Sequence, residues 1–588
     1  MRSPLSYFRL KSSNPIFSKQ PSLAPNSYDA IAFILIMTFL ALIMVGVEGM
    51  HQPLTKLEAA PLEMSFGNLP KYALYTTLRM FAAILVSLFF TFTVATLAAK
   101  SRRAEMIIIP TLDILQSVPV LGFLTFTVTF FMGLFPGNQA GVEMAAIFAV
   151  FTAQAWNMTF SFYQSLRTVP QDLREASAQF CQNSWQRFWR LEVPFAIPGL
   201  VWNTMMSMSG SWFFVVAAEA ISVGHTQIFL PGIGSWLGMA IGNKDLAGVG
   251  WAVLSMAIVI LLYDQVIFRP VVAWSDKFNM GQTASQKKPK SWVYDVINRA
   301  NVLGFVGRLF DVFGNMVLAI KWPYRGNAYH SPSQKDTRPN KIVDALWVAW
   351  LLALLIGSMV FLINYLHAGG INFKTIVEVF ILGFMTLFRV MALVSIASMI
   401  WVPIGVYVGL RPKLVALVQP IAQFLAAFPA NILFPFVVIA IVHYKLNPDI
   451  WLSPLIILGT QWYIFFNVIA GVCVFPNDLK EAATIYNVRS WTWWRKVIIP
   501  GIFPYYVTGA LTATGGSWNA SIVAEVVSWG STKLEAHGLG AYIANATIAG
   551  DMHKVLLGVG VMAIFVIILN QLFWRPMYAY AARLTGLD

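Results

Sequence analysis

Charge is scarce in this sequence: 11% of its 588 residues are Asp, Glu, Lys or Arg, against 57% hydrophobic residues and a mean hydropathy of +0.65. That balance excludes an ordinary water-soluble fold. Cysteine is almost missing. With only Cys181 and Cys473, both in or beside segments assigned below to the cytoplasmic side, a disulfide framework and a four-cysteine zinc site are both excluded. The chain has no Gly-x-x-x-x-Gly-Lys-(Ser/Thr) stretch and not even a Gly-Lys pair, so it carries no phosphate-cradling loop with which to bind ATP itself. Nor does a small-residue cleavage site follow the first apolar run at 30–47, which is preceded by a polar tail with Arg2, Arg9, Lys11 and Lys19. We read that run as a retained span rather than a signal sequence. Acidic residues are outnumbered, 26 to 40, giving a net charge of +14. The excess sits in short clusters between apolar runs, where orientation signals belong, so membrane topology accounts for it better than nucleic-acid binding.

What is present in quantity is long apolar sequence. A bilayer core of about 30 Å needs roughly 20 apolar residues of helix, and several stretches qualify, among them 145–162, 251–272, 342–366 and 555–574. The chain also repeats itself. Arg79, Pro110 and Pro119 correspond to Arg389, Pro420 and Pro429, each 310 residues on. Further along the offset becomes 306 and holds: Pro170, Asp172, Glu175, Trp185, Pro194 and Pro198 map to Pro476, Asp478, Glu481, Trp491, Pro500 and Pro504. Ser211-Trp212, Glu219, Gly232, Gly234, Gln265 and Arg269-Pro270 continue the series onto Ser517-Trp518, Glu525, Gly538, Gly540, Gln571 and Arg575-Pro576. So regular a register marks a duplicated unit. The expected fold is an all-α integral membrane protein of about twelve spans, six per copy, at 30–47, 72–99, 107–135, 142–163, 196–221 and 249–272, then 342–366, 374–409, 415–443, 451–474, 502–528 and 554–574. An even number of spans makes the copies parallel repeats about an axis along the membrane normal, with the pore between them.

The expected organisation is a tail, first span and outer loop at 1–71, a core domain at 72–274, a linker at 275–341, a seventh span and outer loop at 342–373, and a second core domain at 374–588. Basic loops place both termini, Arg167 to Arg190, Arg411/Lys413 and Lys480 to Lys496 on one side, the cytoplasm. Six of the seven histidines then fall at the outer side without ligand spacing and read as solvated, with no metal site. From Trp274 to Lys341 the joining segment holds eleven Lys/Arg against four Asp/Glu. Val293, Ile297, Leu303, Val306, Phe310, Phe313, Val317 and Ile320 recur there at helical spacing, which fits an amphipathic helix on the inner leaflet or one packed against the pore domain.

The best-matched part of the repeat is a cytoplasmic loop. Val169-Pro-Gln-Asp-Leu-Arg-Glu-Ala opens one copy and Phe475-Pro-Asn-Asp-Leu-Lys-Glu-Ala the other. Asp172 and Asp478 are expected as helix N-caps, with Glu175 and Glu481 reaching back to the cap. A second short helix is expected from Ser184 or Ser490 to Pro194 or Pro500, rich in Trp and Arg, as protein interfaces are. Glu-Ala-(Ala/Ser), followed after a fixed gap by an apolar-x-Pro and another Pro, resembles the EAA loop of bacterial binding-protein-dependent ABC transporter permeases. The pattern extends over most of 72–274 and 376–578 and is most similar to the nitrate/sulfonate/taurine branch, in the duplicated form assigned to anion transport.

The resemblance implies two fused ABC-importer transmembrane domains of the type I, MetI-like kind, in a bacterial inner membrane. Each loop would dock on one of two copies of a cytoplasmic ATPase subunit, which carries the ATP and Mg; this chain holds no cofactor. An extracytoplasmic binding protein would deliver a small-molecule substrate, and nucleic acid has no part. The coupling residues so implied are Asp172, Glu175, Ala176, Cys181, Trp185, Arg187 and Pro194, and Asp478, Glu481, Ala482, Asn487, Trp491, Arg495 and Pro500. Both loops depart from the family where it has Gly six residues after the Glu: Cys181 stands in one and Asn487 in the other. Asn tolerates the left-handed bend that Gly would supply, and Cys does so poorly.

Polar residues inside spans are costly and are functional candidates by default. Gln116, Gln154, Asn157, Asn203, Ser209 and Trp212 in the first copy, and Gln461, Trp462, Asn467, Trp518 and Asn519 in the second, line a path or hydrogen-bond between helices. Arg79 and Arg389, near the outer boundary, are expected either to pair with Glu219 and Glu525 or to attract an anion; pairing is preferred, since an uncompensated charge gains little in high dielectric. The competing readings are an ion-coupled secondary transporter with two six-helix halves, which leaves the paired loops unexplained, and a membrane scaffold, which leaves the repeated polar spans unexplained. Nitrate, sulfonates, taurine, bicarbonate-like anions and small organic acids all stay open as substrates.

Overall fold

A computed structural model describes residues 63–116, 124–136, 138–180, 183–223, 226–278, 291–299, 363–475 and 477–578, with a few isolated positions besides. Nearly all of it is helix. In the first copy the order is α1 (Leu69–Lys100), α2 (Arg102–Leu115), α3 (Leu124–Leu134), α4 (Ala140–Arg167), α5 (Gln171–Gln179), α6 (Ser184–Arg187) and α7 (Val193–Glu219). A hairpin of β1 (Ala220–Val223) and β2 (Thr226–Phe229) follows, then α8 (Ile233–Gly242), α9 (Leu246–Tyr263), α10 (Arg269–Ser275) and, in the linker, α11 (Trp292–Arg299). The second copy runs α12 (Phe373–Gly409), α13 (Pro412–Ala427), α14 (Phe434–Tyr444), α15 (Pro448–Trp451), α16 (Ser453–Ile457), α17 (Gln461–Val474), α18 (Asn477–Ile485), α19 (Ser490–Trp493) and α20 (Ile499–Ala524). It ends with β3 (Val526–Trp529), β4 (Thr532–Glu535), α21 (Leu539–Ile548) and α22 (Met552–Leu569). The two hairpins are antiparallel, pairing Ala220 with Phe229 and Val526 with Glu535, and they were not foreseen from sequence.

Among the described residues five helices are long and apolar enough to cross a membrane: Phe66–Lys100, Leu246–Phe278, Phe373–Gly409, Ser490–Ala524 and Met552–Tyr578. Two bent pairs bring the number to seven. One, Pro412–Ala427 with Ala430–Tyr444, bends by 74°, and the other, Pro448–Ile457 with Gln461–Cys473, by 41°. The first bend falls at Phe428-Pro429, where both residues are extended. α4 and α7, of 28 and 27 residues, have the length of a span but more polar residues. The expected first and seventh spans, at 30–47 and 342–366, lie almost wholly outside the described residues, as does 117–123 within the third.

Four π-turns recur in register, at Phe188–Glu192, Asp264–Phe268, Trp494–Ile498 and Asn570–Trp574. Each ends two residues before a proline: Pro194, Pro270, Pro500 and Pro576. In an ordinary helix a proline loses its own hydrogen bond and collides with the carbonyl four residues back, at a cost of about 3 kcal/mol. Here the residue before each proline bonds five back instead: the N–H groups of Val193, Arg269, Ile499 and Arg575 donate to the carbonyls of Phe188, Asp264, Trp494 and Asn570. The widened turn makes room for the ring, so the helix passes through. Pro194 and Pro500 therefore do not end the short helices, as the sequence suggested. α19 runs on through its π-turn into α20 as one helix of 35 residues.

By contacts the chain groups into two compact units. One holds 1–49, 160–205 and 261–338; the other holds 50–159, 206–260 and 339–588. In the first, α5 is tied back by Arg174, whose Nη2 donates to the Leu166 carbonyl at 3.0 Å. α11 lies on α10, with Val293 buried and Lys277 over the Tyr294 ring at 5.3 Å, while Trp292 and Ile297 stay exposed. The described start of the linker helix is thus packed on protein along one edge; the expected continuation to Ile320 lies outside the described residues. In the second unit the core is aliphatic and aromatic, with Trp518 wholly buried, and glycines let helices approach closely. A Cβ on Gly405 or Gly409 of α12 would stand 2.8 Å from Val468 or Val472 of α17. One on Gly509 of α20 would stand 2.8 Å from the Tyr463 carbonyl. Small residues at interfaces are how helices gain packing where lipid gives no hydrophobic drive.

Candidate functional site

Each coupling loop folds as two short helices meeting at an elbow. Asp172 and Asp478 lie at the second helical position rather than at the cap, since α5 starts at Gln171 and α18 at Asn477. In α5 the Asp172 carboxylate, inside the first turn, still lies beside the free N–H groups and the positive end of the helix dipole. Glu175 is exposed and accepts from the Gln171 side chain at 2.8 Å instead of reaching back to a cap. The second helix of the first elbow is capped one residue earlier than expected. Asn183 Oδ1 accepts from the Gln186 N–H at 2.7 Å while Gln186 Oε1 accepts from the Asn183 N–H at 3.2 Å, a complete capping box.

The two elbows differ in what they expose. In the first, Trp185 stacks on Phe188 at 6.5 Å and meets Trp189 edge-on at 5.7 Å, and Arg187 pairs with Glu192 at 3.3 Å, so Trp185 and Arg187 are half-buried. In the second, Trp491 is 71% and Tyr486 81% exposed, and Glu481, Asn487 and Arg495 also face out. Ala176, Ala482, Pro194 and Pro500 sit half-buried at the base of their elbows. Asn487 adopts φ +52°, the left-handed bend expected of it, and Cys181 lies outside the described residues.

Each copy also carries a charged anchor, and the pairing of arginine with glutamate read from sequence is present in both. Arg79 is fully buried on α1. Its Nε and Nη2 donate to Glu143 at 2.6 Å, and its Nη1 donates to Glu219 at 2.7 Å. Glu219 also accepts from the Gly234 N–H at 2.6 Å, and Thr76 Oγ1 accepts from the Ile233 N–H at 3.0 Å. One cation thereby ties α1, α4, α7 and α8 together. Glycine is required at Gly232 and Gly234 because a Cβ there would collide with the Glu219 carboxylate and the Val216 carbonyl. In the second copy Arg389 Nη1 donates to Glu525 at 2.6 Å, Thr386 to the same oxygen at 3.0 Å, and the Ala541 N–H to its other oxygen at 3.0 Å.

Glu143 and its counterpart Asp449 were missed from sequence, although both are acids at the 306 offset. They are used differently. Asp449, 37% exposed, lies 3.7 Å from Arg389 and turns towards His537, accepting from its N–H at 2.6 Å and contacting Nδ1 at 3.1 Å. The second anchor is therefore open to solvent on one side and the first is closed. On the hairpin beside it, Lys533 reaches Glu535 and holds its carboxyl below the usual carboxylate range.

Several path candidates are occupied in holding helices together. Gln154, fully buried, accepts from Ser87 at 3.2 Å and donates to Met208 Sδ at 3.5 Å. Asn203 donates to Ser161 and to the Gly199 carbonyl. Gln461 accepts from Trp401 Nε1 at 2.9 Å, and Trp462 sits in the same aromatic cluster, 5.0 Å from Trp401. Asn467 and Asn519 instead bond within their own helices, to the carbonyls of Tyr463 and Gly515. Trp212 and Trp518 are buried, the latter stacked on Phe565 at 6.2 Å. Asn157, Ser209 and Gln116 are half-buried.

Residues 87–269 and 401–585 each match the family described as binding-protein-dependent transport system inner membrane component, once inside each expected core domain. The bicarbonate transport system permease protein CmpB of Synechococcus elongatus is 31% identical over 165 residues, 28% of this chain and 56% of that protein. The glycine betaine/carnitine transport permease protein GbuB of Listeria monocytogenes is 31% identical over 170 residues, 29% of this chain and 54% of that protein. The nitrate import permease protein NrtB of Leptolyngbya laminosa is 25% identical over 176 residues, 30% of this chain and 60% of that protein. The chain thus spans just over half the length of the curated relatives it matches.

Proposed function

We propose, for a chain that belongs to the family of binding-protein-dependent transport system inner membrane components, that it forms by itself the whole pore of an ATP-driven importer. Its two elbows receive two copies of a cytoplasmic ATPase subunit, whose ATP and Mg supply the energy. Its hairpin end faces outward and takes a small solute from an extracytoplasmic binding protein. The termini and elbows lie in the cytoplasm of a bacterial inner-membrane protein. The solute is a small anion of the nitrate, sulfonate, taurine or bicarbonate kind. CmpB and NrtB, named for bicarbonate and nitrate, support that class, and GbuB, named for glycine betaine and carnitine, widens it to solutes that carry a carboxylate.

The observation that carries this reading is the repeated elbow. Both copies present charged and aromatic side chains at the root of a long helix, and in the second copy that helix is continuous from Ser490 to Ala524. A displacement imposed at the elbow is carried along the helix to the Glu525 anchor, about 1.5 Å per residue away. No loop intervenes to absorb it. Alternating access then follows from ATPase closure moving α7 and α20 together, while the anchors hold each helix to its neighbours at the outer end. The domain division expected from sequence, two cores joined by a linker, serves this scheme.

The test is binding of the cognate ATPase subunit to the purified chain. Reversing both loop carboxylates, Glu175→Arg with Glu481→Arg, is expected to abolish it, and either substitution alone to halve the stoichiometry. Undiminished binding by the double variant would overturn the docking role.

A further inference from the structure

Where the two copies meet within the second unit, one side chain reaches across. Tyr463 projects from α17 of the second copy, and a Cβ on Gly210 of α7, in the first copy, would stand 2.5 Å from its hydroxyl oxygen. On the near side its ring lies 4.0 Å from the place of a Cβ on Gly516 of α20. Gly210 and Gly516 are counterparts at the 306 offset, so the ring spans the gap between the same point on the two equivalent helices. Packing around it agrees: Met206, one turn before Gly210, lies against the cluster of Trp462 and Phe466 on α17.

Two features separate Tyr463 from a packing residue. Its counterpart in the first copy is Asn157, too short to make the reciprocal reach, so the crossing comes from one side alone. Two identical chains could not arrange this. And the phenol hydroxyl has no hydrogen-bond partner among the described residues, whereas the neighbouring Thr460 and Ser517 bond each other at 2.9 Å. No hydrogen bond therefore fixes the ring, which is held by its packing against apolar neighbours alone.

We propose that Tyr463 is the bar across the solute path: its ring closes the route between Gly210 and Gly516 and must swing aside for a solute to pass. This rests on the importer reading for the direction of access. A single movable aromatic sets the width of the path, and the two flanking glycines supply the space into which it fits.

The test uses the full chain in intact cells, in a Cys181→Ser, Cys473→Ser background, with a membrane-impermeant methanethiosulfonate reagent added outside. Reporter cysteines are placed one turn beyond the bar on each helix, at Met206→Cys and Thr512→Cys. An exposed control at the hairpin end, Asn243→Cys, reports orientation. With Tyr463 in place the control reacts and the two reporters do not. Tyr463→Ala is expected to raise reporter labelling at least tenfold, and Tyr463→Phe to leave them protected. Gly210→Ala, which displaces the ring without removing it, should act like Tyr463→Ala. Reporters already reactive with Tyr463 present, or still protected in both Tyr463→Ala and Gly210→Ala, would overturn the proposal. Failure of the Asn243→Cys control to react from outside would instead overturn the outward placement of the hairpin end, and with it the importer reading.

Discussion

Replacing Arg79 by alanine strips from Glu143 and Glu219, whose side chains are 6% and 0% exposed, the one counter-charge they have among the described residues. Removing one member of a buried ion pair costs about 3–5 kcal/mol, mostly because the partner is left charged and dry. The same change at Arg389 is milder. Glu525 keeps Thr386 and the Ala541 N–H, and Asp449 keeps His537 and contact with solvent. We expect roughly 2 kcal/mol there, below the buried range and above that of exposed pairs. At about 2.1 cal/mol/K of unfolding entropy per residue, a chain of 588 residues shifts by roughly 0.8 °C per kcal/mol, so thermal denaturation of the detergent-solubilised chain should fall by about 2–4 °C for Arg79→Ala and about 1.5 °C for Arg389→Ala. Neutralising the orphaned acids should recover over half of the first loss, in Arg79→Met with Glu143→Gln and Glu219→Gln, since a buried ion network is replaceable by neutral groups of similar volume. Equal losses at the two arginines, or no recovery in the triple variant, would refute the closed-against-open distinction between the anchors.

The second elbow turns on Asn487 at φ +52°. Asn487→Gly should be neutral or slightly favourable and Asn487→Val should cost about 1–2 kcal/mol, read as a lower melting point and weaker ATPase-subunit binding. Pro500→Ala removes the reason for the π-turn at Trp494–Ile498. The turn should relax to regular helix, rotating the elbow by about one residue, roughly 100°, so that the ATPase subunit still binds but ATP hydrolysis no longer drives uptake; unchanged coupling would show the π-turn to be incidental. Gly232→Ala, whose Cβ meets the Glu219 carboxylate, should lower stability as Arg79→Ala does, and a well-folded Gly232→Ala chain would contradict the anchor geometry.

The 306 offset made the architecture legible, because the residues it preserves are those with a fixed geometric duty. Glu219 and Glu525 each take an arginine of the same copy, and Gly232 and Gly538 each leave room for that carboxylate. Less legible were features with no side-chain signature of their own. A π-turn is a change of backbone partner, and only the proline after it hints that the ladder must shift. The hairpins at 220–229 and 526–535 are short, and their apolar residues merge into the run of the preceding span. Glu143 and Asp449 were overlooked because each opens a helix next to a loop, where an acid reads as a cap rather than as a ligand for an arginine far along the chain. Among the path candidates, Gln154, Asn203 and Gln461 show why intramembrane polarity is an ambiguous signal: each finds partners in neighbouring helices. Tyr463 escaped notice because a tyrosine within an apolar run reads as part of that run, beside the more polar Gln461 and Asn467.

The coupling role is tested most directly in living cells by placing a photo-crosslinking amino acid at Tyr486, 81% exposed at the tip of the second elbow, and at its counterpart Phe180. The expected result is a covalent adduct with a soluble nucleotide-hydrolysing protein at both positions. Adducts confined to lipid, or to proteins outside the cytoplasm, would contradict it.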